Sequence, residues 1–384
     1  MDRTRRVVVT GMGTVNASTA GGATAVASAL ALSRSPIAPI RTFSVDRLAS
    51  RLAAQVEDGA LGARIDRDDA RRLSRICRLT LAAATLAVRD AGVPGGGGLG
   101  IVVGTEHGDF RSSQEFALGF LRRGPNGLSP MIFPNTVMNT MASVAAIAVG
   151  AKAPSVTLNQ ATVAGDLAIA RAAALIRSGR AEAMVAGGVD EICEVVYRQL
   201  AALGVLSPMR SGGHEGCRPY EVAHNGPVLG EGATFVVLED LNSARARGAT
   251  VLAELVDAAW GSVPVPAHSA SPGRPDRGSP VCRLLTRHRA SSPGFTRCYG
   301  SGNGDPALDD WECALLARDL DGQAPVPPVS LAPLFGQHSG LGALRMGAAA
   351  LDASRGMGRV LVHGIARGGC RSALVVAPAG SEST

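Results

Sequence analysis

The sequence predicts an α/β fold built around a central sheet, because short β-branched runs alternate with helix-period segments along the chain. Val7–Thr10 is one such run, and Leu99–Val103 is another that ends at a glycine. Between residues 162 and 178, apolar side chains recur at helical spacing, which indicates a helix with one buried face. The length of 384 residues suits two or three domain-sized units and a large core.

The N-terminal part of the chain supplies the first strands and helices. Val7–Thr10 is interpreted as a buried strand that closes in a tight turn at Gly11–Gly13. Residues 66–91 are expected to form one helix that ends at Gly92. The other elements expected here are helices at Ser112–Arg122, Asn139–Val149 and Thr162–Ser178 and strands at Leu99–Val103, Ser155–Leu158 and Ala183–Ala186.

The C-terminal part repeats the same alternation after a segment of different composition. Residues 262–294 are rich in Pro, Ser, Gly and Arg and are interpreted as a connector between two halves. We place the halves at residues 1–250 and 251–384, and each ends in strand, glycine turn and strand, which indicates a duplication. The elements expected after the connector are strands at Thr296–Gly300, Val329–Ala332, Val360–His363 and Ala373–Pro378 and helices at Asp309–Arg318 and Gly342–Ala353.

The charge pattern argues against a nucleic-acid-binding protein. The formal net charge is +6, arginine carries almost all of the positive charge, and Lys152 is the only lysine. No block of five or more basic residues occurs, so binding to nucleic acid is not expected. A mildly basic surface of this kind would suit an acidic protein partner.

The sequence also argues against membrane, metal and cofactor binding. No apolar run approaches the roughly 18 residues that cross a bilayer, and the basic start has no long apolar segment after it, so a soluble cytoplasmic protein is expected. The seven cysteines form no CxxC pair and indicate neither a zinc site nor a disulfide framework. The glycine run Gly95–Gly98 precedes a strand, so it is not a phosphate-binding loop, and no cofactor is expected.

Three segments carry recognisable motifs. Val7–Gly13 reads VVVTGMG, Ala183–Asp190 contains the pair Gly187–Gly188, and Cys217–Glu239 contains CRPY, GPVLGEGA and VVLE. All three resemble segments of β-ketoacyl synthases in the thiolase-like superfamily, in the same order. The resemblance implies a five-layered αβαβα fold with two similar halves and an obligate dimer.

The resemblance also implies a condensation reaction. In this family a cysteine at a helix N-terminus takes an acyl group from a carrier protein, and backbone N–H groups form an oxyanion hole. Two histidines assist decarboxylation of the malonyl extender and stabilise the enolate, and a lysine supports the site.

The position of the nucleophile holds a threonine in this sequence. The segment Ala153–Gly165 resembles the family's nucleophile motif without a gap, and the cysteine position falls on Thr162. No cysteine lies between Cys77 and Cys193, so no shift of the alignment supplies a thiol. A threonine hydroxyl would need an adjacent base to act as a nucleophile.

The first histidine is replaced as well. Ser301–Glu312 resembles the family's first histidine motif, in which Pro306, Asp309 and Glu312 keep the frame. The histidine position is then Ser301.

The lysine and the second histidine belong to one motif, which Ala332–Gly340 resembles. The lysine position is Ala332 and the histidine position is Gln337. His338 lies one residue away, and a local slip of the alignment would bring it into the histidine position. No such slip supplies a lysine, because Lys152 lies elsewhere.

Two further departures concern the acyl pocket and the nucleophile turn. The family's gating phenylalanine is replaced by Arg367, and a charged side chain does not suit an acyl pocket unless it turns outward. In the chain length factors of type II polyketide synthases, which are similar to ketosynthases, the cysteine position often holds a glutamine. Here Gln160 lies two residues before Thr162. A decarboxylase role that depends on such a glutamine is therefore poorly supported.

Taken together, the losses are similar to those of the chain length factor, the ketosynthase β subunit of type II polyketide synthases. The resemblance implies a non-catalytic subunit that pairs with an active ketosynthase α subunit and shapes the tunnel for a chain carried by acyl carrier protein. One alternative is a divergent condensing or acyl-transfer enzyme that uses Thr162, Ser301 or His338. Another is a scaffold that binds carrier proteins without a ketosynthase partner.

Four apolar side chains are candidates for the acyl tunnel or the dimer interface. Phe116 and Phe120 are four residues apart and are expected on one helix face, in the region that borders the tunnel in the family. Phe133 and Met138 follow in the same stretch. The alternative is that these side chains belong to an ordinary core.

Overall fold

The fold is given by a computed structural model. It describes residues 5–208, 213–263, 265, 278–289, 294–322, 325 and 327–380. The strands in these residues are β1 (Val7–Asn16), β2 (Ala20–Gly21), β3 (Ala38–Pro39), β4 (Leu52–Ala53), β5 (Leu99–Thr105), β6 (Ser155–Asn159), β7 (Ala183–Asp190), β8 (Gly232–Asp240), β9 (Ala253–Ser262), β10 (Phe295–Tyr299), β11 (Arg359–Ile365) and β12 (Cys370–Ala377).

Helices follow or precede most of these strands. They are α1 (Ala23–Leu32), α2 (Asp58–Gly62), α3 (Arg67–Arg72), α4 (Arg75–Ala91), α5 (Phe110–Arg123), α6 (Thr140–Val149), α7 (Ala164–Arg177), α8 (Glu194–Leu203), α9 (Leu241–Ala246), α10 (Pro280–Arg289), α11 (Pro306–Leu320), α12 (Ala332–Phe335) and α13 (Leu341–Ser354). Short 3₁₀ turns lie at Gly124–Gly127 and Phe133–Thr136.

The main sheet runs through both halves of the chain. Its strand order is β10-β11-β12-β9-β1-β8-β7-β5-β6, and β2 pairs with β1. The halves meet where Val7–Val9 of β1 pairs with Ala253–Leu255 of β9. Strands β5, β6 and β7 are parallel to one another, and so are β10 and β11, whereas the pairs β7–β8, β11–β12 and β1–β8 are antiparallel.

The two halves repeat one arrangement. In the first half the order from the junction is β1-β8-β7-β5-β6, and in the second it is β9-β12-β11-β10. An isolated parallel bridge between Tyr299 and Val329 lies where β6 would have its counterpart. The helices match too, because α7 precedes β7 just as α13 precedes β11. The expected pair of similar halves is therefore confirmed.

Helices cover and separate the two parts of the sheet in five layers. Helices α7 and α13 pack on each other and on strands of both halves, and they form the central layer. Helices α4 and α6 cover the outer face of the first half, and α10 and α11 cover that of the second. The many alanines of α7 and α13 permit this close double-sided packing. The αβαβα architecture is thus as expected.

An ion pair in the central layer fixes the start of α7. Arg345 of α13 donates from Nη2 to both carboxylate oxygens of Asp166, at 2.8 and 2.7 Å. Both side chains are at most 2% exposed. Because Asp166 lies in the first turn of α7, this pair positions the turn that precedes the helix.

Gly11 and Gly13 do not form the expected turn. They lie inside β1, which continues to Asn16 with a register shift between Val9 and Gly11. A Cβ on Gly11 would lie 2.5 Å from the backbone nitrogen of Ala91, and one on Gly13 would lie 2.2 Å from that of Ala87. The glycines therefore serve the close approach of β1 to α4, not a change of direction.

Two other expected elements are corrected. The single helix expected at 66–91 is divided into α3 and α4, because Leu73 is extended and Ser74 is the N-cap of α4. The strand expected at Val329–Ala332 is reduced to the bridge at Val329, and Ala332 begins α12.

The expected connector at 262–294 is only partly described. Within it Pro280–Arg289 forms α10, whereas residues 264, 266–277 and 290–293 lie outside the described residues. The division into halves near residue 250 stays a prediction. No described helix has both the length and the hydropathy that a membrane span requires.

Candidate functional site

Thr162 lies in a strained turn between β6 and α7. Its φ angle is +60°, which is unfavourable for a β-branched residue because Cβ crowds the backbone. Helix α7 begins two residues later, at Ala164. The local geometry thus presents residue 162 at a helix N-terminus, where the sequence resemblance places the nucleophile, although the side chain is a threonine.

A carboxylate of the chain itself lies against this turn. The backbone N–H of Thr162 donates to Oε2 of Glu106 at 3.0 Å. Burial, together with the nearby carboxylate of Asp190, raises the pKa of Glu106. A backbone N–H that would contribute to an oxyanion hole is therefore already engaged inside the protein.

The turn opens into a cavity of about 410 Å³. Part of its lining is apolar and includes Ile192, Val196, Leu200, Leu203, Leu206 and Leu229. The rest is polar and includes Glu106, Thr162, Asp190, Glu191, Asn303, Asp305, Gln337, His338 and Arg367. An apolar cavity with a few convergent polar groups is typical of a small-molecule site.

Three predicted site residues meet in this cavity and two do not. Thr162, Gln337 and His338 line it together, although Thr162 belongs to the first half of the chain and the other two belong to the second. Ser301 and Ala332 are both buried, but neither is among the described residues that line the cavity. Ala332 is the first residue of α12, and its methyl group offers no hydrogen bond.

Ser301 belongs to a paired polar network instead. Its hydroxyl lies 3.3 Å from both carboxylate oxygens of Glu312 and accepts from the N–H of Ile365 at 2.8 Å. Glu312 also accepts from the hydroxyl of Tyr220 at 2.7 Å. The serine therefore fixes α11 against β11 and has no free group for chemistry.

A buried histidine completes this network. Nε of Arg371 can only donate, so Nε2 of His363, at 2.8 Å, accepts and the ring proton is on Nδ1. Nδ1 then donates to Glu312 at 2.6 Å. Burial opposes ionisation of Glu312, but the bonds from His363, Tyr220 and Ser301 lower the pKa of Glu312 below its usual value. We call Ser301, Tyr220, Glu312, His363 and Arg371 the Glu312 network.

The acidic residues of the cavity follow adjacent parallel strands. Glu106 comes directly after β5, and Asp190 and Glu191 lie at the end of β7. Asp190 accepts from the hydroxyl of Thr105 at 2.8 Å and from the N–H of Ser339 at 2.7 Å. Our sequence reasoning missed these residues. Their positions after neighbouring parallel strands, at the edge where ligands usually bind, were the available signal.

Glu191 is the least compensated of these acids. Its side chain is 1% exposed, and Nε of Arg111 lies 3.6 Å from one carboxylate oxygen, beyond hydrogen-bond distance. Burial raises the pKa of Glu191 to about 8. At neutral pH its carboxyl group therefore holds a proton and is uncharged.

Gln337 and His338 are held by their backbone. The N–H of Gln337 donates to the carbonyl of Val228 at 2.8 Å, and its carbonyl accepts from Gly230 at 2.9 Å. Nδ1 of His338 accepts from the N–H of Gly340 at 3.0 Å, and burial lowers the pKa of His338 to about 4. The imidazole is therefore neutral. Both Gln337 and His338 line the cavity. The lining therefore does not show whether Gln337 or His338 occupies the second histidine position of the family's motif.

Arg367 lines the cavity and does not turn outward. Its Nε donates to Oδ2 of Asp305 at 2.8 Å, and Nη2 donates to the same oxygen. The carboxylate of Asp305 thus compensates the charge of Arg367, the residue that the sequence resemblance places at the position of the gating phenylalanine. A charged residue is thus accommodated through its partner Asp305, which the sequence analysis did not single out.

The cavity lining contains a cysteine but no set of metal ligands among the described residues. Cys193 contributes to the lining and precedes α8, and its thiol lies 3.9 Å from Oε1 of Gln114. In the part of the chain that the structure describes, no group of three or more His, Cys, Asp or Glu could hold a metal ion.

The phenylalanine-rich stretch lies at a different place. Phe116 lines a second cavity, of about 560 Å³, next to Arg111 and Arg122, and its ring centroid is 5.8 Å from that of Phe133. Phe120, Phe133 and Met138 are 49%, 55% and 41% exposed. None of the four is among the described residues that line the Thr162 cavity.

Comparison with known proteins places the sequence in a family. Residues 4–244 match the β-ketoacyl synthase N-terminal domain. A 3-oxoacyl-[acyl-carrier-protein] synthase 2 from Vibrio harveyi is 30% identical over 325 residues, which cover 82% of this chain and 77% of that protein. Another, from a Synechocystis strain, is 32% identical over 259 residues, 66% of this chain, and the match spans 62% of that protein, less than two thirds of its length.

The fold agrees with a solved structure over nearly the whole chain. The ishigamide ketosynthase/chain length factor superposes with a TM-score of 0.84 and 25% identity, covering 98% of this chain and 100% of that one. The matched domain and the shared fold lead to one conclusion: the chain belongs to the β-ketoacyl synthase family of the thiolase-like superfamily.

Proposed function

We propose that this chain is a non-catalytic, chain-length-factor-like subunit of a type II polyketide (3-oxoacyl-carrier-protein) synthase. The observation that carries the proposal is the turn at Thr162. It keeps the strained geometry of a nucleophile turn, yet it has no thiol, and Glu106 engages the backbone N–H. Ser301, Gln337 and Ala332 stand at the positions of the two histidines and the lysine.

The active partner would supply the chemistry that this chain lacks. We infer a heterodimer with an intact ketosynthase, and the likeness to a ketosynthase/chain length factor structure supports it. An exposed apolar surface, formed by large side chains in residues 120–147, supports the pairing as well, because exposed apolar surface marks sites of protein–protein contact. Its residues are Phe120, Leu121, Met131, Phe133, Val137, Met138 and Ile147.

The sheet edge next to this surface fits the same role. Strand β6 ends the sheet, and its Val156, Thr157 and Leu158 are only half-buried. An edge strand with free backbone groups is a ready site for pairing with another chain. An obligate interface of this kind is expected to bury roughly 2,000 Å² or more.

Acyl carrier protein is the second partner that we propose. The curated relatives are named for their action on acyl-carrier-protein substrates. The cavity beside Phe116 is bordered by Arg111, Arg122 and Arg123, which suits an acidic protein. In the heterodimer, Phe116, Phe120, Phe133 and Met138 would border the acyl tunnel or the interface and so limit product length.

A second candidate is a divergent condensing or acyl-transfer enzyme. The curated relatives favour it because they are synthases. Thr162 is then the nucleophile and His338 the base, since Ser301 is committed to Glu312. Two observations oppose this candidate. Nδ1 of the neutral His338 accepts from Gly340, so Nε2 holds the ring proton and no nitrogen is free to act as a base, and the engaged N–H of Thr162 opposes stabilisation of an oxyanion.

Acyl transfer distinguishes the two candidates. The full chain is incubated with acyl-carrier protein, alone and together with a co-expressed intact ketosynthase, and each chain is measured by intact mass. We expect an acyl adduct on the ketosynthase only, and co-elution of the two chains in size exclusion. A stoichiometric adduct on Thr162, removed by Thr162→Val, would establish the enzyme instead. A monodisperse monomer beside an intact ketosynthase would contradict the pairing.

A further inference from the structure

Helix α5 is held to the rest of the chain by few buried contacts. Its one buried residue is Ser112, and none of its apolar side chains is buried. Its neighbours are chiefly the two 3₁₀ turns that follow it, not the main sheet. Because helices in proteins gain most of their stability from packing an apolar face, the polar contacts of the first turn decide how firmly α5 is held in the single chain.

Arg111 joins this first turn to the end of β7. Its Nη2 donates to the carbonyl of Ile192 at 2.6 Å, and its Nε lies 3.6 Å from a carboxylate oxygen of Glu191. The thiol of Cys193 adds a weaker contact with Oε1 of Gln114, at 3.9 Å. Arg111 is therefore the strongest polar link between the start of α5 and the strand end.

Glu191 is buried beside this turn without a hydrogen bond. Its side chain is 1% exposed, and neither carboxylate oxygen has a partner in the part of the chain that the structure describes. The charged and titratable groups that face it from α5, α4 and the segment before β8 are Arg111, Asp109, Arg75, Cys77 and Glu231. Arg75 is bonded to Glu231 at 2.6 and 3.0 Å, and burial raises the pKa of Cys77 to about 11. Among these groups, Arg111 is thus the cation that remains to face Glu191.

Ionisation of Glu191 opposes its burial. Burial raises the pKa of Glu191 to about 8, whereas a hydrated carboxyl group would have the ordinary pKa of a glutamate. The buried arrangement is therefore fully stabilised below that ordinary pKa, and the stabilisation is lost as pH rises toward 8. A displacement of α5 that admits water to Glu191 becomes more favourable over the same interval.

We infer that Arg111 and Glu191 are positioning residues that hold α5 at the end of β7, and that ionisation of Glu191 releases the helix. Phe116 and Phe120 lie on α5, so the pair would also position the two rings proposed to limit product length. This last step rests on the proposed function, whereas the attachment of α5 is a property of the single chain.

Hydrogen exchange of the full chain tests the attachment. We expect the protection of the α5 amides, corrected for the intrinsic exchange rate, to fall about tenfold or more between pH 6 and pH 8. The fall should vanish in Glu191→Gln, which cannot ionise, and persist in Glu115→Gln, a matched change at an exposed position of α5. Helix α1 has no ionisable side chain and is the internal reference. No fall in the wild type, or the same fall in Glu191→Gln, would overturn the inference.

A second variant tests the role of Arg111. Arg111→Gln removes the guanidinium that bonds to Ile192 and faces Glu191, so the protection of α5 at pH 6 should drop about tenfold. Arg123→Gln removes the same charge from the last turn of α5 and should leave the protection as in the wild type. Equal protection in the wild type and Arg111→Gln would refute the role of this residue.

The consequence for product length is measured in a complex with an active ketosynthase. We expect longer products at pH 8 than at pH 6, and no such change with Glu191→Gln. A pH-dependent α5 with products of constant length would confirm the attachment and count against the proposed gate. Constant protection of α5 would refute the attachment, whereas acyl transfer and pairing judge the proposed function separately.

Discussion

Two buried polar clusters of this protein, the Glu312 network and the polar lining of the Thr162 cavity, differ in their bonding. In the Glu312 network, every group named has a partner, and Ser301, at the position where the sequence resemblance expects a histidine, is bonded to Glu312. In the Thr162 cavity, Gln337, His338 and Glu191 keep open polar atoms. The difference teaches that polar residues at positions where the sequence resemblance expects catalytic groups can be bonded into the scaffold in one place and keep unpaired atoms in another.

The largest expected effect concerns the paired network. Glu312→Ala leaves His363, Tyr220 and the N–H of Ser301 without their buried acceptor, so we expect a loss of about 3–5 kcal/mol in the free energy of unfolding. Chemical denaturation measures it. Glu182→Ala, at an exposed site, serves as the control and should change stability by less than about 0.5 kcal/mol. A loss below about 1 kcal/mol for Glu312→Ala would mean that the network is not the scaffold described here.

The open cluster should respond to pH in the opposite sense from an ordinary ion pair. Burial raises the pKa of Glu191 to about 8. Between the usual glutamate pKa and pH 8, the folded state therefore holds a proton that the unfolded state has already released. Stability from this group is therefore complete at about pH 4 and falls as pH rises toward 8. Glu191→Gln removes the titration, so the variant should be the more stable by about 1–3 kcal/mol at pH 8.

Denaturation curves at pH 5 and pH 8 measure this difference. The advantage of Glu191→Gln should grow between the two values. Glu194→Gln, a half-exposed glutamate on α8 paired with Arg198, provides the control and should show no such growth. A constant difference between wild type and Glu191→Gln would show that Glu191 does not titrate in this interval.

A smaller effect is expected at the turn beside the cavity. Thr162→Gly relieves the unfavourable φ of +60°, so the free energy of unfolding should rise by about 1 kcal/mol. Ser33→Gly, at φ +48° on the surface, is a comparison in which the same relief is expected without any cavity. Thermal unfolding checks both. A destabilised Thr162→Gly beside a stabilised Ser33→Gly would mean that the threonine side chain has contacts that outweigh the strain.

The smallest effect on stability is expected outside both clusters. Phe120 is 49% exposed in the single chain, so Phe120→Ala should lower its stability by less than about 1 kcal/mol, well below the cost of removing a buried ring. In a complex with an active ketosynthase, Phe116→Ala and Phe120→Ala should lengthen the product, because the growing chain would meet the tunnel wall later.

Product distributions from the wild-type and variant complexes measure this effect. Leu32→Ala, 78% exposed on α1, is the control and should leave the distribution unchanged. The same distribution from both single variants and the double variant would remove these rings from the proposed gate.

The strand-and-helix alternation was predictable because periodicity is a local property. The sequence indicated α7, α13 and most strands to within a few residues. It misassigned Gly11–Gly13, since a glycine needed for contact with α4 looks the same as a glycine in a turn. It also joined α3 to α4, because the extended Leu73 carries no local signal that distinguishes it from a helical leucine.

The chain by itself determined the absences: no thiol at Thr162, no histidine at Ser301 and no lysine other than Lys152. Composition suffices for these, because no fold can supply a side chain that is not encoded. The tertiary structure decided which polar groups meet. Asp190 accepts a hydrogen bond from Thr105, 85 residues away, because β5 and β7 are parallel neighbours. The positive charge of Arg367 is compensated because the carboxylate of Asp305 lies beside it. Pairing and burial depend on distances across the fold, and these set both the charge of the cavity and the atoms left open in it.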